Sequence, residues 1–142
     1  MRAKFINEFV RGGDPLDTLG IGYEAKIHKF FDDLEISRNN YTILEDRQIT
    51  FRFLDLSHCT IVIELPDNLY IENDFYLMNC KNLIKLPNNL TVDNNLWLNS
   101  SDKIVELPDD LIVHGSIYIR EEQKELRNWI ENSKFANKLI IK

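Results

Sequence analysis

Hydrophobic and polar residues in the middle of the chain follow a pattern that recurs every 21 residues. Three copies open with a Leu-Pro pair, at Leu65, Leu86 and Leu107, and a partial copy precedes them at residues 54–62. Further apolar residues keep the same spacing, in four columns: Leu69, Leu90 and Leu111; Ile71, Val92 and Val113; Phe75, Leu96 and Ile117; Leu77, Leu98 and Ile119. So regular a period predicts a repeat architecture, in which each unit buries its apolar face against its neighbours.

Each copy combines two short extended segments with a sharp corner. In DFYLMN and NLWLNS the apolar residues alternate with period two, which predicts a strand with one buried face. Asn73, Asn94 and Gly115 stand just before those strands. These residue types tolerate a positive φ, so we predict a left-handed backbone turn at each. Proline in the Leu-Pro pair fixes its own φ and keeps the preceding leucine extended.

The segment before the repeats is predicted to be helical and then to form a strand hairpin. Asp14 and Pro15 suit the start of a short helix, and Gly20 suits its end. A second helix follows, with one apolar stripe formed by Tyr23, Ile27, Phe30, Phe31 and Leu34. Residues 41–56 are then predicted to form two strands around a turn near Asp46.

The segment after the repeats is predicted to form a helix over residues 120–135. Its apolar side carries Leu126, Trp129, Ile130 and Phe135. Because the open ends of a stack need covering, both flanks are interpreted as caps. The predicted organisation is a flexible tail over 1–13, a helical N-terminal cap over 14–40, a hairpin and repeat solenoid over 41–119, and a helical C-terminal cap over 120–142.

Two of the copies resemble the leucine-rich repeat. The runs LDLSHCTIVIELPDNL and FYLMNCKNLIKLPNNL match its strand-and-loop segment, Leu-x-Leu-x-x-Cys followed by an aliphatic residue and Leu-Pro. Cys59 and Cys80 occupy the position where that family has Asn or Cys. Ser101 in the third copy departs from this, which predicts a weaker buried ladder. The resemblance covers about residues 50–119. It implies an α/β repeat fold, a short leucine-rich-repeat-like solenoid with helical caps. It also implies that the curved sheet binds a partner, but it does not identify that partner.

The whole chain is also similar, more loosely, to small accessory proteins encoded by tailed bacteriophages. The opening KFINEF, followed by DPLDTLGIGYEAKI and then by short repeats, carries this resemblance. It implies an accessory protein that acts in the cytoplasm of the host.

Composition narrows the class of partner. The formal net charge of −6 argues against direct binding to nucleic acid or to an anionic membrane, because both need a surplus of Lys and Arg. No apolar run approaches the roughly 20 residues that span a bilayer, and the N-terminus has no apolar signal region. Two cysteines are too few for a disulfide scaffold, so we expect reduced thiols and a cytoplasmic location.

Catalytic and metal-binding patterns are not evident in the sequence. His28, His58 and His114 share no spacing, and Cys59 and Cys80 stand one repeat apart without a second pair that would suit zinc. We predict that both cysteines are buried structural residues. The GIG at 20–22 lacks the rest of a phosphate-binding motif. The prediction is therefore a protein without enzymatic activity, metal or cofactor.

The outward positions of the predicted strands are the candidate binding site. One column contains Asp55, Tyr76, Trp97 and Tyr118, and the next contains Ser57, Met78, Asn99 and Arg120. Aromatic residues, Met and Arg are enriched at protein interfaces. We predict that the partner-binding residues are Asp55, Tyr76, Met78, Trp97, Asn99, Tyr118 and Arg120. An alternative stays open, in which the helix around Trp129 folds over this face and buries it.

A second apolar column also needs an explanation. Ile63, Ile84 and Val105 directly follow inward residues, and neighbours in an extended segment cannot both point inward. Either the loop bulges or a flanking helix covers this column, and we favour the helix.

The function predicted from the sequence is a noncatalytic protein-binding module, a phage factor that binds and inhibits a host-encoded protein. The alternative is an acidic nucleic-acid mimic that blocks a host nuclease or DNA-binding protein.

Overall fold

The structure of the protein is a computed structural model that describes residues 21–142. Within that range there are two α-helices, α1 (Ile21–Asp33) and α2 (Lys124–Glu131). The first sheet has the order β1 (Tyr41–Ile43), β2 (Ile49–Phe51), β4 (Leu69–Ile71), β6 (Thr91–Val92) and β8 (Ile112–Val113). The second sheet has the order β10 (Leu139–Ile141), β9 (Ile117–Ile119), β7 (Leu96–Trp97), β5 (Phe75–Tyr76) and β3 (Leu54–Asp55). The predicted tail over 1–13, the helix start at Asp14 and its end at Gly20 lie outside the described residues.

The predicted fold class, a leucine-rich-repeat-like solenoid with helical caps, is wrong. The chain forms an α/β fold with two parallel-rich sheets, and only the β1–β2 pair is antiparallel among the described strands. Each repeat gives one strand to each sheet, because the segment after Leu-Pro alternates inward and outward residues just as the segment after the corner does. Strand β10 joins the second sheet after α2, so the C-terminal end closes with a strand and not with a helix alone.

The predicted register is confirmed by the strand pairing. Phe75 pairs with Leu96, and Leu96 pairs with Ile117, each 21 residues further along the chain. The side chains of Leu77, Leu98 and Ile119, one from each of these repeats, are at most 1% exposed. We call the pair of strands from one repeat a rung. The hairpin of β1 and β2 around Asp46 is also confirmed, and it adds the antiparallel strand to the first sheet.

The sharp turns fall at other residues than those predicted. None of Asn73, Asn94 and Gly115 has a left-handed φ. Gly115 is required for another reason: a Cβ there would lie 2.4 Å from the carbonyl oxygen of Asn94. Positive φ angles occur instead at two other positions of the repeat, namely His58, Asn79 and Ser100 in the first and Asn68 and Asn89 in the second. Asn is the residue type that accepts this conformation most readily after Gly.

The helices cover the interior as their apolar stripes predict. In α1, Ile27 and Phe31 are fully buried, and the ring of Phe31 lies 5.1 Å from that of Phe51 in β2. Helix α2 is shorter than predicted, and it buries Leu126 and Ile130 in the same core. In the repeats, a strand of the first sheet stands between two successive strands of the second sheet. Between β9 and β10, helix α2 takes the place of that strand.

A ladder of buried polar side chains crosses the rungs. The Cys80 thiol donates a hydrogen bond to the carbonyl oxygen of Leu56 (3.2 Å), and the Ser101 hydroxyl donates to that of Leu77 in the same way. Ser101 is fully buried, and its Oγ also accepts from the backbone N–H of Cys80 (2.9 Å). The prediction that Ser101 weakens the ladder is therefore wrong, because serine supplies the same donor one rung further along.

Candidate functional site: an aromatic face of the second sheet

Three aromatic side chains follow one another on the outer face of the second sheet. The strand register aligns Asp55 with Tyr76, Tyr76 with Trp97, and Trp97 with Tyr118. The rings of Tyr76 and Trp97 stack at 6.0 Å between centroids, and those of Trp97 and Tyr118 stack at 3.8 Å. We call Tyr76, Trp97 and Tyr118 the ring ladder. All three side chains are half-buried, so each keeps a surface that faces solvent.

The repeat itself determines this orientation. Leu96 and Leu98 flank Trp97 and are fully buried, and successive side chains of a strand point to opposite faces of the sheet. The same alternation holds around Tyr76, between Phe75 and Leu77. The outward direction of the ring ladder was therefore correctly predicted from the sequence.

Asp74 holds the polar edges of two of the rings, and sequence reasoning did not select it. Its Oδ2 accepts hydrogen bonds from the Tyr76 hydroxyl (3.2 Å) and from the Trp97 indole Nε1–H (3.1 Å). Its Oδ1 accepts from the backbone N–H of Asn95 (3.1 Å). Asn95 repeats that last bond one rung later, to the N–H of Ser116 (2.9 Å). The available signal was this column of side-chain acceptors, Asp74 followed by Asn95, directly before each strand.

The environment of Tyr76 raises the pKa of its phenol above the ordinary value. Burial is the largest cause, and the hydrogen bond to Asp74 and the negative charges of Asp74 and Asp55 add to it. Each of these effects favours the neutral phenol over the phenolate. The carboxylates of Asp74 and Asp55 thus place negative charge at the Tyr76 end of the ring ladder.

The opposite end of the ring ladder carries a cation. Strand β10 pairs Ile140 with Tyr118, which adds an aliphatic residue to the outward column. The Nζ atom of Lys142 lies 5.8 Å from the centroid of the Tyr118 ring. Neither residue was predicted to belong to the site. The short apolar run LII at 139–141, after the C-terminal helix, was the signal for an additional strand.

Helix α2 does not bury the ring ladder. The ring of Trp129 stacks on that of Phe135 at 6.4 Å, and the three ladder rings are half-buried and not fully covered. The predicted helical cover of the second apolar column is wrong for Ile84, which is 46% exposed, whereas Ile63 and Val105 are half-buried.

The second predicted column is more mixed than the ring ladder. Met78 is half-buried, and its backbone N–H donates to the Ser57 hydroxyl (3.3 Å). Asn99 is half-buried, and Arg120 is exposed and lies 3.5 Å from the carboxylate of Glu122. These positions border the ring ladder on the same face, because they follow its residues by two along each strand.

Residues with potential catalytic or metal-binding chemistry are dispersed in the described part of the chain. His28 contacts the Tyr41 hydroxyl (2.7 Å), His58 contacts Asn79 (3.0 Å), and His114 lies 3.8 Å from Asp93. Between residues 21 and 142, no group of three or more His, Cys, Asp or Glu side chains is arranged to hold a metal ion.

The two cysteines are free and differ in burial. Cys80 is 1% exposed, and burial raises the pKa of its thiol to about 11. Cys59 is half-buried, so the prediction of two buried cysteines is wrong for this residue. The physical reason is position: Cys59 follows β3, which is an edge strand of the second sheet and pairs with a neighbour on one side only.

Comparisons of the chain with protein-family models, with curated proteins and with solved structures gave no match. Among the described residues, no helix is both long enough and apolar enough to cross a membrane.

Proposed function

We propose that the ring ladder is the centre of a noncatalytic protein-binding surface. The observation that carries the proposal is that three aromatic side chains are stacked and half-buried on the outer face of one sheet. Trp and Tyr are the side chains that most often dominate binding energy at protein interfaces. Trp97 lies in the middle of the ladder, where such energetic centres concentrate.

The class of partner that we propose is a protein of the bacterial host. The loose similarity of the whole chain to phage accessory proteins supports this choice, and the net charge of −6 favours a protein surface over nucleic acid. Binding across the ring ladder would cover the matching surface of the host protein and so inhibit it.

Capture from a bacterial lysate tests the proposal when matched variants accompany the unaltered chain. Trp97→Ala removes the central ring, whereas Ile112→Ala removes a 47% exposed side chain on the first sheet. A specific partner should be retained by the unaltered chain and by Ile112→Ala and lost with Trp97→Ala. With the purified partner, Trp97→Ala should weaken the affinity by at least about 30-fold, which corresponds to a hot-spot residue.

A second variant protects the test against a folding defect. Tyr76→Ser keeps the close stack of Trp97 on Tyr118 and should also reduce capture. A partner that all three variants bind equally would overturn the proposal. The alternative, an acidic mimic of nucleic acid, predicts that affinity collapses with added salt and does not depend on Trp97, because carboxylates would carry the binding energy.

A further inference from the structure

The two ends of the ring ladder differ in charge. At one end, the Lys142 ammonium group lies 5.8 Å from the centre of the Tyr118 ring. At the other end, Asp55 occupies the position next to Tyr76 in the outward column. The Tyr76 hydroxyl also donates a hydrogen bond to the carboxylate of Asp74. The chain thus supplies its own cation to Tyr118 and places two carboxylates beside Tyr76.

These two carboxylates have no cationic partner within residues 21–142. Asp55 is exposed and accepts one hydrogen bond there, from the backbone N–H of Ser57 (2.9 Å). Asp74 accepts only from neutral donors, the Tyr76 hydroxyl, the indole of Trp97 and a backbone N–H. No ion pair within that range includes either residue. Among the described residues, the negative charge beside Tyr76 therefore has no cation within ion-pair distance.

The column has no ring at the position beyond Tyr76, where the register places Asp55. The ladder rings are nearly parallel, with 16° between Tyr76 and Trp97, so the outer face of Tyr76 points along the stack towards the rung of Asp55. A cation is attracted by the face of an aromatic ring and by a carboxylate beside it. A guanidinium group fits both at once, because it stacks flat on a ring and pairs with a carboxylate through its edge.

Resting on the proposed function, we infer that the partner protein places an arginine side chain on the outer face of Tyr76, paired with Asp55 and close to Asp74. The arginine extends the ring ladder by one position. Lys142 over Tyr118 is the corresponding contact that the chain makes with itself at the other end. The site therefore selects a basic segment of the partner, in agreement with the net charge of −6.

A synthetic peptide tests this inference without the partner. The probe is an acetylated and amidated pentapeptide of alternating arginine and glycine, and its control carries citrulline, a neutral analogue of the same shape, in place of arginine. The readout is the indole N–H resonance of Trp97 in a nitrogen-15 correlation spectrum, assigned with Trp129→Phe. This group donates to Asp74, so it reports on charge placed beside Tyr76.

The arginine peptide should shift the Trp97 resonance saturably, and the citrulline peptide should not. Asp55→Asn should weaken arginine-peptide binding by about threefold, as expected for one exposed ion pair. Asp109→Asn removes a charge from an exposed Leu-Pro turn and should have no effect. Equal binding of both peptides, equal effects of the two substitutions, or no shift with the arginine peptide in large excess would each overturn the inference.

The two proposals fail separately. A host protein captured through Trp97, together with an arginine peptide that does not bind, leaves the proposed function standing and removes the arginine. If the arginine peptide binds but no partner is captured through Trp97, the cation site is supported and the proposed protein-binding function is contradicted.

Discussion

The indole ring of Trp97 lies parallel to the ring of Tyr118, with 3.8 Å between the centroids and 6° between the planes. The two residues are direct neighbours in the strand register of β7 and β9. The contact joins two rungs on the outside of the sheet, where the buried leucines join them on the inside. Trp97 therefore contributes to the fold as well as to the exposed face.

A double-mutant cycle should measure this contact. Trp97→Ala, Tyr118→Ala and the double variant should give a coupling free energy of about 0.5–1.5 kcal/mol in denaturant unfolding, the usual range for stacked aromatic pairs. The same cycle between Trp97 and Trp129 should give a coupling near zero, because Trp129 stacks on Phe135 and not on the ladder. Coupling of similar size in both cycles would mean that α2 covers the ring ladder after all.

The buried ladder inside the second sheet predicts a larger effect. Leu98 is fully buried among the rungs, so Leu98→Ala removes packed methyl groups and leaves a cavity. We expect a loss of about 2–5 kcal/mol in the free energy of unfolding, measured by denaturant melts. Ile84→Ala is the matched control: that side chain is 46% exposed, and its truncation should change stability by less than about 0.5 kcal/mol. Similar melts for the two variants would show that the register is wrong.

Gln123 ends the ladder of buried polar groups, and its loss should be costly. Its Oε1 accepts from the backbone N–H groups of Ser100 (3.0 Å) and Arg120 (2.7 Å), and its Nε2 donates to the carbonyl oxygen of Leu98 (2.9 Å). Gln123→Ala leaves these groups without the partner, which should cost about 1–3 kcal/mol in the free energy of unfolding. Gln123→Lys keeps a donor but loses the acceptor for two N–H groups, so it should not restore stability. An unchanged melt for Gln123→Ala would contradict the role of this side chain.

The repeat period made much of the architecture predictable. A column of apolar residues such as Leu77, Leu98 and Ile119 predicts the spacing of the rungs and shows which side chains point into the core. Because neighbouring side chains in a strand point to opposite faces, the side chain of Trp97 is then predicted to point outward. The first sheet was missed as a sheet because the strand that each repeat gives to it has only two or three residues, as in Thr91–Val92. So short a segment carries little local signal, and parallel pairing with distant segments decides its structure.

The site was predicted less completely than the fold. The aromatic column followed from alternation, but Asp74 joins it through hydrogen bonds to two side chains whose distances no pattern encodes. Lys142 reaches Tyr118 only because β10 pairs beside β9, which depends on how α2 turns the chain back. The corners were misassigned at Asn73 and Asn94 because Asn serves two purposes in this repeat. At Asn79 it adopts a positive φ of 60°, and at Asn73 its side chain donates to the carbonyl oxygen of Arg52.

The different burial of the two thiols predicts selective alkylation. Cys59 is half-buried, whereas Cys80 is 1% exposed and donates to a backbone carbonyl. Only the thiolate reacts, and the raised pKa of Cys80 keeps its thiolate scarce at pH 8. Iodoacetamide should therefore modify Cys59 first and leave Cys80 unmodified until the protein unfolds. Peptide mass spectrometry at timed intervals checks this, and equal rates at the two residues would contradict the structure.

The Cys80 thiol also makes stability depend on alkaline pH. Its pKa is about 11 in the folded protein against an ordinary value of 9.0, so the unfolded chain loses this proton at lower pH. Below about pH 8 the thiol is neutral in both states and its contribution is complete. As pH rises from 9 to 11 the unfolded state is increasingly favoured, which should remove about 2–3 kcal/mol from the free energy of unfolding.

The pKa values of Tyr41 and Tyr76 are also raised, so the unaltered protein alone cannot isolate the contribution of the cysteine. Cys80→Ser isolates it, because serine keeps a donor for the Leu56 carbonyl, as Ser101 does for Leu77, and does not titrate in this range. The difference in unfolding free energy between the two proteins should be constant below about pH 8 and should shift by that amount up to pH 11. A constant difference across the whole interval would show that Cys80 is not held in the buried, protonated form from which this dependence arises.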